Sequence, residues 1–158
     1  MKVQQLMTSE VQTCHPDDAL HSAAEKLWTH DIGCLPVVDH DGRLCGMITD
    51  RDICMAAYTQ GRSLSEIPIS TAMSKEVYAC TTNDNINAAE EAMRSHQVRR
   101  LPVVNDSGEL VGIVSLNDIA REAERELGLK SREISTQEVT ATLATVSQPR
   151  QHDGPVVR

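Results

Sequence analysis

Residues 35–53, LPVVDHDGRLCGMITDRDI, return 66 positions later as residues 101–119, LPVVNDSGELVGIVSLNDI, with nine of the nineteen positions identical. The same offset pairs Met7 with Met73, Glu10 and Val11 with Glu76 and Val77, Cys14 with Cys80, Asp18 with Asp84, and His30 with His96. No gap is needed between Met7 and Ile119. Unrelated sequence does not hold one register for so long, so the chain reads as an internal duplication. Stacked arrays need three or more repeats to bury their faces, whereas two copies of about fifty residues bury theirs against each other about a pseudo-twofold axis.

Within each copy the residue types set the order of elements. Residues 35–38 and 101–104 are unbroken apolar runs and predict buried strands. His40-Asp41-Gly42 and Asp106-Ser107-Gly108 are hairpin turns with glycine where a positive φ is wanted, and residues 44–48 and 110–114 return as second strands. Thr49-Asp50 and Ser115 then cap helices over 50–58 and 116–126, with Gly61 and Gly128 as stops. Upstream, residues 10–13 and 77–81 predict short strands, and Pro16-Asp17-Asp18 and Asn83-Asp84 predict helix starts. Leu20, Ala23, Ala24 and Leu27 recur at helical spacing, as do Ile86, Ala89, Met93 and Val98, which leaves Glu25, Glu90 and Glu91 for solvent.

Each copy therefore reads β-α-β-β-α, and the fold class is α/β (α+β), two pseudo-symmetric units packed sheet to sheet. The first unit is expected over 1–61, a linker over 62–70 and the second unit over 71–128. Residues 129–158 are rich in Ser, Thr and Gln and contain Pro149 and Pro155. They predict a disordered or loosely helical tail, with at most a short helix over 138–143.

Composition narrows the function. Lys plus Arg number 15 against 23 Asp plus Glu, a formal net charge of −8, which repels a phosphate backbone; no nucleic acid is expected as partner. Phe is absent, and Trp28, Tyr58 and Tyr78 make no platform for unstacked bases. No apolar run suits a signal peptide or a membrane span, so a cytoplasmic protein with no membrane partner is expected. Cys14, Cys34, Cys45, Cys54 and Cys80 lack C-x-x-C pairing and read as small thiols in a reducing compartment. No G-x-S-x-G elbow, P-loop or H-E-x-x-H motif occurs, so an enzyme is not expected.

Candidate chemistry sits where the second strand of each copy meets its helix, because a helix start presents unpaired N–H groups and a partial positive charge. There a hydroxyl stands three residues before a carboxylate: Thr49 before Asp52, and Ser115 before Asp118. These are ordinary capping residues. They are also what a nucleoside phosphate needs, a hydroxyl with N–H groups for phosphate and a carboxylate for the ribose diol.

The repeated G-x-[IV]-[ST]-x-x-D-I, preceded by L-P-V-V and a D/N-x-x-G turn, resembles the cystathionine-β-synthase (CBS) domain, and the chain resembles a tandem CBS pair. The resemblance covers residues 1–126. It implies two clefts between the units, a homodimer, an adenine nucleotide of the AMP, ADP or ATP type as regulatory ligand, alone or with Mg, no required cofactor, and an unidentified protein target. It implies that Asp52 and Asp118 bind ribose beside Thr49 and Ser115, and that Thr13, Cys14, His15, Ala79, Cys80 and Thr81 line the base pockets. Arg99 and Arg100 precede L-P in the second copy, where basic residues meet phosphate; the first copy has Gly33-Cys34 there but carries Arg51 where the second has Asn117. Unequal clefts are expected. Two other readings stay open: a metal or redox sensor using Cys14, His15, Cys34, Cys80 and His96, and a ligand-free dimerisation module.

Overall fold

The computed structural model describes residues 1–129 and 131–149. In the first unit α1 (Leu20–Thr29) leads to β1 (Cys34–Val38), β2 (Leu44–Thr49) and α2 (Asp50–Gln60). The second unit repeats this with β3 (Cys80–Thr81), α3 (Ile86–His96), β4 (Arg100–Val104), β5 (Leu110–Ser115) and α4 (Leu116–Arg125), and α5 (Thr136–Val146) follows. β1 and β2 pair antiparallel with Leu35 opposite Ile48; β4 and β5 pair with Leu101 opposite Val114, and both ladders slip at the same place, between Val37 and Val38 and between Val103 and Val104. The turns carry Gly42 at φ 77° and Gly108 at φ 79°, the left-handed region the hairpin demands. α2 ends as expected at Gly61, φ 59°.

The strand expected at 10–13 is instead a single parallel bridge, Cys14 to Val37, and its counterpart is the two-residue β3 on β4. The reason lies just upstream. Thr8 bridges Ile113 of the second unit, so the chain is crossing between units where a longer strand would have to stay on one. The helix starts also differ from expectation. Ala19 and Asn85 are the N-caps and give no side-chain bond; Asp18 and Asp84 accept instead from the backbone N–H of His15 (2.8 Å) and Thr81 (2.7 Å), tying the turn before each helix.

The units exchange their leading segments. Val3, in a 3-10 turn at Val3–Gln5, donates its N–H to Asp84 O (2.9 Å) and is fully buried in the second unit's core with Ile86, Met93 and Leu101. Ile69, in the matching turn Ile69–Thr71, donates to Asp18 O (2.8 Å) and is buried with Ile67 among Leu20, Leu35 and Ile48 of the first. The stretch read as a linker at 62–70 is therefore partly core, because Ile67 and Ile69 repeat Met1 and Val3 at the same offset of 66. The crossings are tight: a Cβ on Gly46 would stand 2.6 Å from Met73 Sδ, and one on Gly112 2.7 Å from Met7 Sδ.

The tail departs most from its sequence reading. α5 packs on α3 and α4, and Ile134, Val139 and Val146 join the second unit's core. Glu90, expected in solvent, is 1% exposed beneath it. Sparse apolar periodicity concealed this helix, since a few residues suffice when the receiving groove already exists. The tail expectation for residues 150–158 lies outside the described residues.

Candidate functional site

Two cavities open between the units, and the repeat maps one onto the other. The first, about 220 Å³, lies between Ser9, Val11, Thr13 and Val38 on one side and Leu110 and Val111 of β5 on the other. The second, about 300 Å³, lies between Lys75, Val77, Ala79 and Val104 and the β2 residues Leu44 and Cys45. Each of these positions has its partner at the offset of 66. The walls differ at three equivalent positions: Ser9, Thr13 and Val111 in the first cavity stand where the second has Lys75, Ala79 and Cys45. Thr13 and Ala79 thus stand among the cavity walls, and so do Lys75, Ser9 and Cys45, which the sequence reading does not name as site residues. The signal that would have found them is the set of unlike pairs in an otherwise matched register.

Cys14 and Cys80 turn the other way, since alternate residues of an extended chain face opposite sides. Their thiols sit in the two cores at 3.8 Å from the carbonyls of Pro36 and Pro102. Burial pushes the Cys14 thiol up to about 12 and that of Cys80 up to about 11, so both stay protonated. They are packing residues, not pocket walls. His15 is half-buried, its Nδ1 at 2.9 Å from Val38 O and its ring stacked on His40. His96, at the end of α3, stacks on Tyr78.

At the far ends of β2 and β5 stand the two hydroxyl–carboxylate pairs. Thr49 accepts from Asp52 N–H (3.1 Å), while Asp52 Oδ2 accepts from Thr49 N–H (2.9 Å) and Thr49 Oγ1 (2.8 Å). Ser115 and Asp118 repeat this at 3.2, 2.9 and 2.5 Å. Both are closed capping boxes, which fix the carboxylate against the helix start and use only one of its oxygens. The other oxygen separates the copies. Asp118 Oδ1 accepts from Arg121 on the next turn, whereas Met55 stands at that position in the first unit.

The first and last residues of β2, Leu44 and Thr49, are five steps apart, roughly 17 Å at 3.3–3.4 Å per residue. The carboxylates therefore lie at one end of the interface and the cavities at the other. What gathers beside the carboxylates is the residue pair before each L-P. The Arg100 guanidinium stands beside the Cys34 thiol of the first unit; burial raises that thiol, and Arg100 draws it back down. Gly33 lies against Asp50, and its carbonyl accepts from Asp50 N–H (3.4 Å), as Arg99 O accepts from Leu116 N–H (2.9 Å). The Arg99 side chain turns away from this junction to Ser147 Oγ at 3.2 Å. Arg51 is exposed at the first turn of α2.

A family model described as CBS domain matches residues 3–58 and 64–125. The CBS domain-containing protein YhcV of Bacillus subtilis is 42% identical over 118 residues, which cover 75% of this chain and 82% of that protein. The crystal structure of Hypoxic Response Protein I with two coordinated zinc ions matches with a TM-score of 0.70 at 35% identity, over 77% of this chain and 98% of the other. The CBS domain pair of protein MJ0100, in complex with 5′-methylthioadenosine and S-adenosyl-L-methionine, matches with a TM-score of 0.69 at 30% identity, over 77% and 98%.

Proposed function

The chain belongs to the CBS-domain family and carries two CBS units; from that premise we propose that it is a regulatory module that senses adenosine-containing ligands of the AMP, ADP or ATP type. The ligand lies between the units and does not react. Its occupancy changes how the units sit together, and a protein target reads the result. The observation that carries this reading is the doubled interface: two cavities with equivalent walls, each bordered by a strand that runs into a closed Thr–Asp or Ser–Asp capping box.

Asp52, whose second oxygen has no partner among the described residues, is the ribose carboxylate of first choice, with Thr49 and Arg51 beside it. Asp118 and Ser115 serve the second site, where Arg121 competes for the carboxylate. Arg100 meets phosphate, Arg99 follows it only by leaving Ser147, and Thr13, His15, Ala79 and Thr81 border the base. A ligand at 100 times its dissociation constant stabilises the fold by about 2.7 kcal/mol. Calorimetry and thermal shift with AMP, ADP, ATP and S-adenosylmethionine, each with and without Mg, should give unequal sites. Asp52→Ala should weaken binding more than Asp118→Ala. Failure of every ligand to shift the parent chain would leave the dimerisation module as the better reading.

The exposed Trp28 (88%) and Tyr58 (82%) lie on α1 and α2, whose counterparts α3 and α4 carry α5. They support a homodimer joined through the first unit, which Trp28→Glu should dissociate in a sedimentation experiment. A zinc- or redox-responsive Cys/His sensor is the second reading, favoured by the relative described with two zinc ions. Among the described residues no three His, Cys, Asp or Glu side chains gather to hold a metal. A melting temperature lowered by chelator would favour it nonetheless.

A further inference from the structure

Arg99 and Arg100 are neighbours in sequence with partners on opposite sides of the second unit. Arg100 reaches across the interface to Cys34, while Arg99 reaches Ser147, the C-cap of α5. The last turn of α5 has no basic residue of its own, so its partial negative charge is met by a cation from another element. Arg99 supplies that cation. The earlier turns are held on α3 by Thr142, which accepts from Arg94 Nη1 (2.7 Å) and donates to the buried Glu90 (3.2 Å), and by the apolar seat of Val139; Val146, in the last turn, is buried in the same core.

We propose that α5 is the output element of the sensor, released at its C-terminal turn when the phosphate of a bound nucleotide takes Arg99 from Ser147. The proposal rests on the nucleotide reading above. Its direction follows from charge and geometry: both present acceptors, a hydroxyl at Arg99 and a thiol at Arg100, are neutral, whereas a phosphate offers charged oxygens that accept a guanidinium by two parallel bonds. Arg99 turning to phosphate leaves α5 without its C-terminal counter-charge, while Val139 and Thr142 keep the first two turns seated and Val146, the last residue of the helix, is left on its apolar contact alone. Ligand binding therefore loosens one end of the helix rather than detaching it.

Hydrogen exchange of the full chain with and without saturating AMP, paired with calorimetry on the same sample, tests this. Amides at 143–148 should exchange about fivefold faster with AMP, the factor that one lost hydrogen bond of ~1 kcal/mol gives, while amides of α1 do not accelerate. Ser147→Ala should exchange fast at 143–148 without ligand, bind AMP about fivefold tighter than the parent because no Arg99 bond has to break, and show no further change on binding. If AMP binds and exchange at 143–148 stays within twofold or slows, the proposal fails and the nucleotide reading stands. If Ser147→Ala still responds like the parent, Arg99 is not the link and the proposal fails too. If AMP shows no heat and none of the other nucleotides binds, both readings fall together.

Discussion

Glu90 shows how far one residue can stand from what its neighbours in sequence suggest. It adjoins Glu91 on α3, yet Glu91 is exposed and paired with Arg94, while Glu90 is buried with Oε2 unpartnered among the described residues. Burial lifts its carboxyl above the usual range; the Thr142 bond and Arg94 pull it back, and Glu138 of α5 pushes it further up. The folded chain thus keeps a proton that the unfolded chain releases, so this contribution is full below the ordinary carboxylate value and is lost as pH rises through the raised one. Glu90→Gln cannot ionise and should flatten that decline, gaining stability at pH 8 and little at pH 4. Urea midpoints at the two pH values measure it, and equal slopes for parent and variant would contradict it. Gly112 is constrained by space rather than charge. A Cβ there meets Thr8 O at 3.0 Å as well as the Met7 sulfur, and only the sulfur can swing aside. Gly112→Ala should cost about 1–3 kcal/mol, read as a lower denaturant midpoint with unchanged slope.

At the scale of elements, the hairpins and their capped helices were legible because each is decided by local chemistry. The apolar run, the glycine with positive φ and the Ser/Thr cap lie within a few residues of one another, and β1–β2–α2 and β4–β5–α4 follow them closely. The capping boxes also carry a measurable share of stability: Thr49→Ala and Ser115→Ala should each cost about 1 kcal/mol, while Thr49→Ser restores most of it. A Thr49→Ala variant as stable as the parent would show that the box is not closed in solution. α5 was hidden for the opposite reason. Its own pattern is weak, and its position depends on a groove made by α3 and α4, on Arg94 and Glu90 from α3, and on Arg99 just before β4. The first strands were misplaced because the crossing of Thr8 to Ile113 competes with pairing along β1, a contact between units that no local window contains.

In the whole molecule the exchange of leading segments ties the two units together. Val3 is buried in the second unit and Ile69 in the first, so neither core is complete without the other copy's lead-in. Val3→Ala should therefore destabilise more than the unit it enters. Because the chain joins that segment directly to Thr8–Ile113 and the first unit, exchange protection in α1 and α3 should fall together, by a common 1–3 kcal/mol. Loss confined to α3 would mean that the units unfold independently. The sequence by itself determined the duplication, the hairpin and helix that recur in each copy, and the chemical types at the strand–helix junctions, since all of these are written in residues close together or in register. Tertiary structure alone decided which copy each lead-in segment completes, that Arg99 and Arg100 part to opposite sides, that Cys14 and Cys80 serve the cores, and that the cavities lie away from the carboxylates. Those outcomes depend on which distant surfaces meet, and apolar burial, being non-directional, leaves that choice to the packing of the whole.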